Sequence, residues 1–165
     1  MENIKKINKG YVLLETIFYI SFFAILSITV INAMITITKS FKETVIQAEL
    51  MQGGNIMERM SREIKQAYGV NTIGINNLKL NTTDDNDVNK TVEFLFSSPN
   101  VSFLENDIVM GNLNTQNITV MGLTFTQIDT PKGIAIKIFL TVKSNHDSLN
   151  RNQDFYNTVV LRDIY

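Results

Sequence analysis

Residues 11–38 read YVLLETIFYISFFAILSITVINAMITIT, 28 residues in which Glu15 is the only Asp, Glu, Lys or Arg. Lys5, Lys6 and Lys9 precede the run and Lys39 closes it. A helix rises 1.5 Å per residue, so the run extends about 42 Å, more than the about 30 Å hydrocarbon layer of a bilayer. Buried helices of soluble domains seldom continue so far without a polar face, and the length therefore selects a membrane span. Three lysines on the amino side predict an N-terminus held in the cytoplasm, with everything after Lys39 outside.

Glu15 decides what kind of span this is. An unpaired carboxylate near the bilayer centre costs on the order of 2.5 to 3.5 kcal/mol, so it is expected to find a partner. The side chains just after Gly10 supply no cation. A cut between Gly10 and Tyr11 would supply one, because the freed α-amine would open the helix and pair with Glu15 of a neighbouring copy.

Lys9-Gly10-Tyr11-Val12-Leu13-Leu14-Glu15 resembles the class III leader of type IV pilins and pseudopilins: a short basic leader ending in Gly, an aromatic first mature residue, a Glu at the fifth, then an apolar helix. Tyr11 stands where Phe is more usual. The resemblance implies a leader at 1–10, cleavage after Gly10 by a prepilin peptidase, N-methylation of Tyr11 and an assembly role for Glu15. An ordinary secretory signal fits less well, since the apolar run is too long and lacks a suitably placed small-x-small site.

Beyond the span, residues 39–68 read as an amphipathic stem. Phe41, Val45, Ala48, Met51, Met57, Met60, Ile64 and Ala67 recur at three- and four-residue steps, with Lys42, Glu43, Glu49, Glu58, Arg59, Arg62, Glu63 and Lys65 off that line. Gly53-Gly54 predicts a bend, an irregularity or close backbone packing. The helix is expected to end near Tyr68, with Gly69 as a left-handed cap, and as one continuous helix 11–68 would span about 87 Å. A methionine-lined partner groove is the rival of core packing against a sheet.

After Gly69 the period becomes two. Val92, Phe94 and Phe96 share one face, as do Ile134, Ile136, Ile138, Leu140 and Val142. Shorter strands are predicted at 73–80, 108–110, 118–128 and 155–162, with 129–133 as a hairpin loop. A long helix followed by antiparallel strands implies an α+β fold, with the helix's exported half lying on a sheet in a β-rich head at 69–165. The order of the stem, of 120–125, of 136–143 and of 157–162 is similar to minor pseudopilins of the J type and minor pilins of the W type. That likeness implies a pilin-like architecture and a subunit of an assembly-priming tip complex. Its implied partners are other pilin or pseudopilin subunits, an inner-membrane assembly platform and the cytoplasmic membrane, with the final location a pilus or pseudopilus at the cell surface or in the periplasm.

Composition narrows the chemistry. Fifteen Lys and Arg against sixteen Asp and Glu give net charge −1, so nucleic acid is not an expected partner. The chain has no Cys and one His, His146, which removes thiol catalysis, disulfides and the common zinc sites. No cofactor motif is read. Asp84, Asp85 and Asp87 offer oxygens to calcium, but Lys90 and Phe96 stand where an EF-hand needs its Gly and its final Glu, and a solvated acidic loop is the competing reading. His146 lies in a polar stretch, 144–152, read as a mobile surface loop without a nucleophile motif. Asn81, Asn89, Asn100 and Asn117 begin Asn-x-Thr/Ser triplets of the kind an Asn-rich chain contains by chance. A filament subunit without enzymatic activity is the reading that results; a permanently anchored extracytoplasmic binding or adhesion module is the alternative.

Overall fold

The structure, a computed structural model, describes residues 9–131 and 133–162, with side chains from Tyr11 onward. Lys5 and Lys6 of the leader, and Lys132 of the predicted hairpin loop, lie outside the described residues. The fold is α+β: a long apolar N-terminal helix, a second helix and two antiparallel sheets. The chain divides into two compact units, one ending at Thr44 and the other beginning at Val45.

Helix α1 (Lys9–Leu50) supplies the first unit. Apolar residues occur on every side of it, so no single face is available to bury, and its large side chains from Tyr11 to Ile37 are all exposed. Its hydroxyl residues are accommodated locally. Thr16, Ser21, Thr29, Thr36 and Thr38 each donate to the carbonyl four residues earlier at 2.8 to 2.9 Å, a bond that needs no water.

In the second unit the end of α1 meets α2 (Gln52–Gln66) at Met51. The junction is slight: Met51 keeps helical dihedrals, its N–H still bonds Gln47 O at 3.0 Å, and Gly54 N–H bonds Met51 O three residues back. The expected irregularity therefore falls just before the glycine pair. Gly53 also explains itself by packing, because a Cβ there would run into the Phe155 ring, whereas one at Gly54 would meet it at an ordinary 3.8 Å.

In the second half of the stem the predicted Met57, Met60, Ile64 and Ala67 are buried, but in the first half the covered stripe differs from the predicted one in phase. Ile46, Glu49, Leu50, Gly53, Ile56, Met57, Met60, Ile64 and Ala67 are buried, while Phe41, Val45, Ala48 and Met51 are exposed. The shift by one residue brings Glu49, a charge assigned to the solvent side, into the core. The end of the helix also differs: Ala67 is the cap, in extended conformation (φ −70, ψ 140), and its N–H bonds Glu63 O and Ile64 O. Tyr68 then enters the sheet through a bond to Asn81 O, so Gly69 begins a strand and is no left-handed cap.

The first sheet is a meander of β1 (Gly69–Ile73), β2 (Asn77–Thr83), β3 (Asn89–Ser97), β4 (Asn100–Glu105) and β5 (Ile108–Asn112). The predicted strand at 73–80 is thus split by a turn in which Gly74 N–H bonds Asn77 O. β4 has no counterpart in the sequence reading; it follows a cis Ser98–Pro99 bond and ends at Asn106-Asp107, whose φ values of 49 and 66 suit a two-residue hairpin. The second sheet is β6 (Ile118–Thr130), β7 (Gly133–Ser144) and β8 (Asn152–Val160). Its β6–β7 hairpin is tighter than the predicted 129–133 loop, because Asp129 and Thr130 pair with Ile134 and Gly133. Gly133, at φ 132, takes the conformation that makes this return possible.

Along β7 the alternation holds from Ile136 to Val142, with Ile136, Ile138, Leu140 and Val142 fully buried and Lys137 facing solvent, while at the start of the strand Ala135 is buried and Ile134 only partly so. α2 lies across β8 and β7, placing Met60 and Ile64 in a core shared with Leu78, Leu80, Val92 and Phe94 of the first sheet. Asn114 ties the sheets together, accepting from Val101 N–H and donating to Ile118 O. Among the described residues, no buried side-chain polar atom lacks a hydrogen-bond partner.

Candidate functional site

The candidate site in α1 is built from Gly10, Tyr11 and Glu15. The Gly10–Tyr11 peptide bond lies at the described start of α1. Tyr11 is 75 % exposed. Glu15, one turn on, accepts a hydrogen bond from the Tyr19 hydroxyl at 3.1 Å. Sequence reasoning missed this partner, although the i, i+4 spacing contains it. Among the described residues the Tyr19 bond is the only one Glu15 makes, and it uses one carboxylate oxygen. A neutral donor lowers the cost of a carboxylate in apolar surroundings without cancelling its charge, so the second oxygen remains able to take a cation.

In the second unit the sequence's lone histidine has a role the surface-loop reading did not give it. Glu49 is 5 % exposed. It accepts from the Ser144 hydroxyl on one oxygen, at 2.5 Å, and has the His146 Nδ1 2.7 Å from the other. Ser144 in turn accepts from His146 N–H. The order is wrong for nucleophilic catalysis: the serine addresses the carboxylate instead of the imidazole and is wholly buried, out of reach of a substrate. The three residues clasp the helix to the end of β7. Nor is 144–152 a loose loop. Asp147 is buried and accepts from the N–H groups of Leu149 and Arg151 and from Arg151 Nε at 2.8 Å. The guanidinium, followed by these backbone donors, holds the Asp147 carboxyl well below the ordinary carboxylate value of 3.8.

The acidic residues at 84–87 make a turn. Asp84 Oδ1 accepts from Asn86 N–H at 2.8 Å and Val88 N–H at 2.9 Å, and Asp87 sits at φ 58. These two bonds lower the Asp84 pKa. Among the described residues no three of His, Asp or Glu are grouped to hold a metal ion.

Two further surfaces are notable. Among the described residues β5 is an unpaired edge of its sheet, with Ile108, Val109 and Met110 exposed. On the second sheet Phe139 stacks on Tyr156, its cross-strand partner, at 4.8 Å between centroids, beside a depression of about 370 Å³ also lined by Thr124, Thr126 and Lys137. Cross-strand aromatic pairing of this kind stabilises a sheet by itself.

Comparison with protein families, with curated proteins and with solved structures gives no match for this chain.

Proposed function

We propose that the chain is a minor pilin or pseudopilin subunit of a type IV pilus or type II secretion-like filament, processed by a prepilin peptidase between Gly10 and Tyr11. One observation carries the reading. In a helix long and apolar enough to span a membrane, the run 11–38 has a single carboxylate at Glu15, the fifth residue after the Gly10–Tyr11 bond of a basic leader. The role is mechanical. Before assembly the helix holds the subunit in the cytoplasmic membrane with the sheets outside; in the filament the same apolar surface packs among neighbouring helices. Glu15 then pairs with the α-amine of Tyr11 on an adjacent subunit, the Tyr19 hydroxyl orienting the carboxylate. The exposed edge of β5 suits a subunit that contacts partners in a tip complex.

The test is the intact mass of the full chain purified from membranes with and without a co-expressed prepilin peptidase. Loss of residues 1–10, with or without a methyl group on Tyr11, supports the reading. A retained leader beside a demonstrably active peptidase overturns it in favour of a permanently anchored binding module. In processed protein Glu15→Ala is expected to leave cleavage intact and to abolish or sharply reduce incorporation into filaments; wild-type incorporation would remove the pairing.

A further inference from the structure

Asn32 is the only carboxamide in the apolar run 11–38. The hydroxyls around it solve their hydrogen bonding inside the helix, Thr29 to Ile25 O and Thr36 to Asn32 O. The Asn32 side chain does not: it is exposed, and among the described residues no hydrogen bond to its amide is found. Lys39, seven residues on, marks the end of the run, so Asn32 sits about 10 Å along the axis inside it. A carboxamide at that depth in lipid has no water to turn to, and an unsatisfied polar group there is costly.

We propose that Asn32 pairs two copies of this chain through a side-chain hydrogen bond between parallel helices in the membrane. This rests on the reading of 11–38 as a membrane span. The occupant follows from chemistry and depth. A carboxamide carries both a donor and an acceptor, so it is satisfied by an identical group. Copies inserted in the same orientation bring their Asn32 residues to the same depth, where a helix of other sequence need have no polar atom. The surrounding positions permit the approach: Thr29 and Thr36 lie one turn to either side on the same face, with their hydroxyls already bonded to their own backbone, and small side chains let helix backbones come close.

The chain has no native cysteine, which makes the test direct. Single cysteines placed in the full chain at Ile25, Ile28 and Thr36, on the Asn32 face, and at Val30 and Met34, on the opposite face, are oxidised in phosphatidylcholine–phosphatidylglycerol vesicles and the dimer is quantified. Crosslinking is expected to follow the helical period, strong on the first set and weak on the second. Adding Asn32→Leu is expected to lower the first set roughly 3- to 30-fold, the range an intramembrane side-chain hydrogen bond supports, with Asn32→Gln retaining part of it. Equal yields on both faces, absence of crosslinks, or yields indifferent to Asn32→Leu overturn the pairing. Alkaline extraction of the same vesicles separates the two levels: a chain that washes off refutes the span and the pairing together, whereas an embedded chain without the pattern refutes the pairing alone.

Discussion

Two helical regions of this chain treat their apolar side chains in opposite ways, one carrying them on every side and the other along a single stripe. Between Tyr11 and Ile37 the large apolar residues are all exposed, Phe23 at 70 % among them; between Ile46 and Ala67 one stripe is buried almost completely, with Met60 and Ile64 at 0 %. The difference lies in their distribution around the axis. A stripe can be covered by the chain's own sheets, and α2 is so covered by β7 and β8. A helix apolar all round asks for apolar surroundings on every side, which lipid or a bundle of neighbouring helices provides. Apolarity alone therefore says that burial is needed, and its angular spread says who provides it.

Truncations in the two regions break the comparison most directly. Ile64→Ala is expected to destabilise the second unit by about 2 to 5 kcal/mol, the range for a large-to-small change in a packed core. Ile25→Ala removes as much carbon from an exposed position and is expected to leave the same transition unmoved. Denaturant unfolding of the full chain in detergent, followed by near-ultraviolet signals of the sheet aromatics, measures both. Equal effects would mean that the run 11–38 also belongs to the folded core.

The two glutamates extend the contrast. Glu49 is buried against Ser144 and His146, whereas among the described residues Glu15 has only the Tyr19 hydroxyl. Glu49→Ala leaves the wholly buried Ser144 hydroxyl without its acceptor and is expected to cost about 2 kcal/mol in the same measurement. Glu15→Ala is expected to cost nothing there and to act on assembly instead. A destabilised second unit in the Glu15 variant would erase the distinction.

Much of this was legible in the chain. The long apolar N-terminal helix, the alternation of β7 and the α+β class follow from period and length. The phase of the stem was legible from Met57 to Ala67 but not before Met51, because Glu49 reads as a solvent residue until Ser144 and His146, 95 and 97 positions away, are known to meet it. β4 was hidden for a different reason: its residues NVSFLE are short and mixed, and the Asn106-Asp107 turn that delimits it is a signal that could have been read. In the candidate site, Gly10, Tyr11 and Glu15 are sequence features, while Tyr19 became a partner only with the helix geometry in hand.

The glycine pair sharpens the comparison on a finer scale, within the covered helix itself. Gly53→Ala forces the new methyl into the Phe155 ring, an overpacking cost of about 1 to 3 kcal/mol set against about 1 kcal/mol of helix propensity regained, so a net loss of about 1 kcal/mol is expected. Gly54→Ala meets the same ring at contact distance and keeps the propensity, so a gain of about 0.5 to 1 kcal/mol is expected. Opposite signs at adjacent positions would establish that Gly53 is there for close approach. Equal signs would make both glycines a matter of backbone alone.

Acid separates the regions by a last and gentler means. Asp147 and Asp84 both have folded-state pKa values below the ordinary 3.8 because their carboxylates collect donors: Arg151 and backbone N–H groups in one case, two backbone N–H groups in the other. A depressed carboxylate contributes stability that is whole above its unfolded pKa and is lost as pH falls through the folded one. The second unit is therefore expected to keep its stability from pH 7 down to about pH 4 as far as these two groups are concerned, and to weaken below it, Asp147→Asn removing more of the acid slope than Asp84→Asn. Circular dichroism of the full chain in vesicles reads both regions at once. Sheet signals should fade in acid while a helical signal persists, since 11–38 carries no paired carboxylate of this kind and lipid enforces its backbone hydrogen bonding. Helix and sheet lost together at one pH would mean that the two regions unfold as a unit.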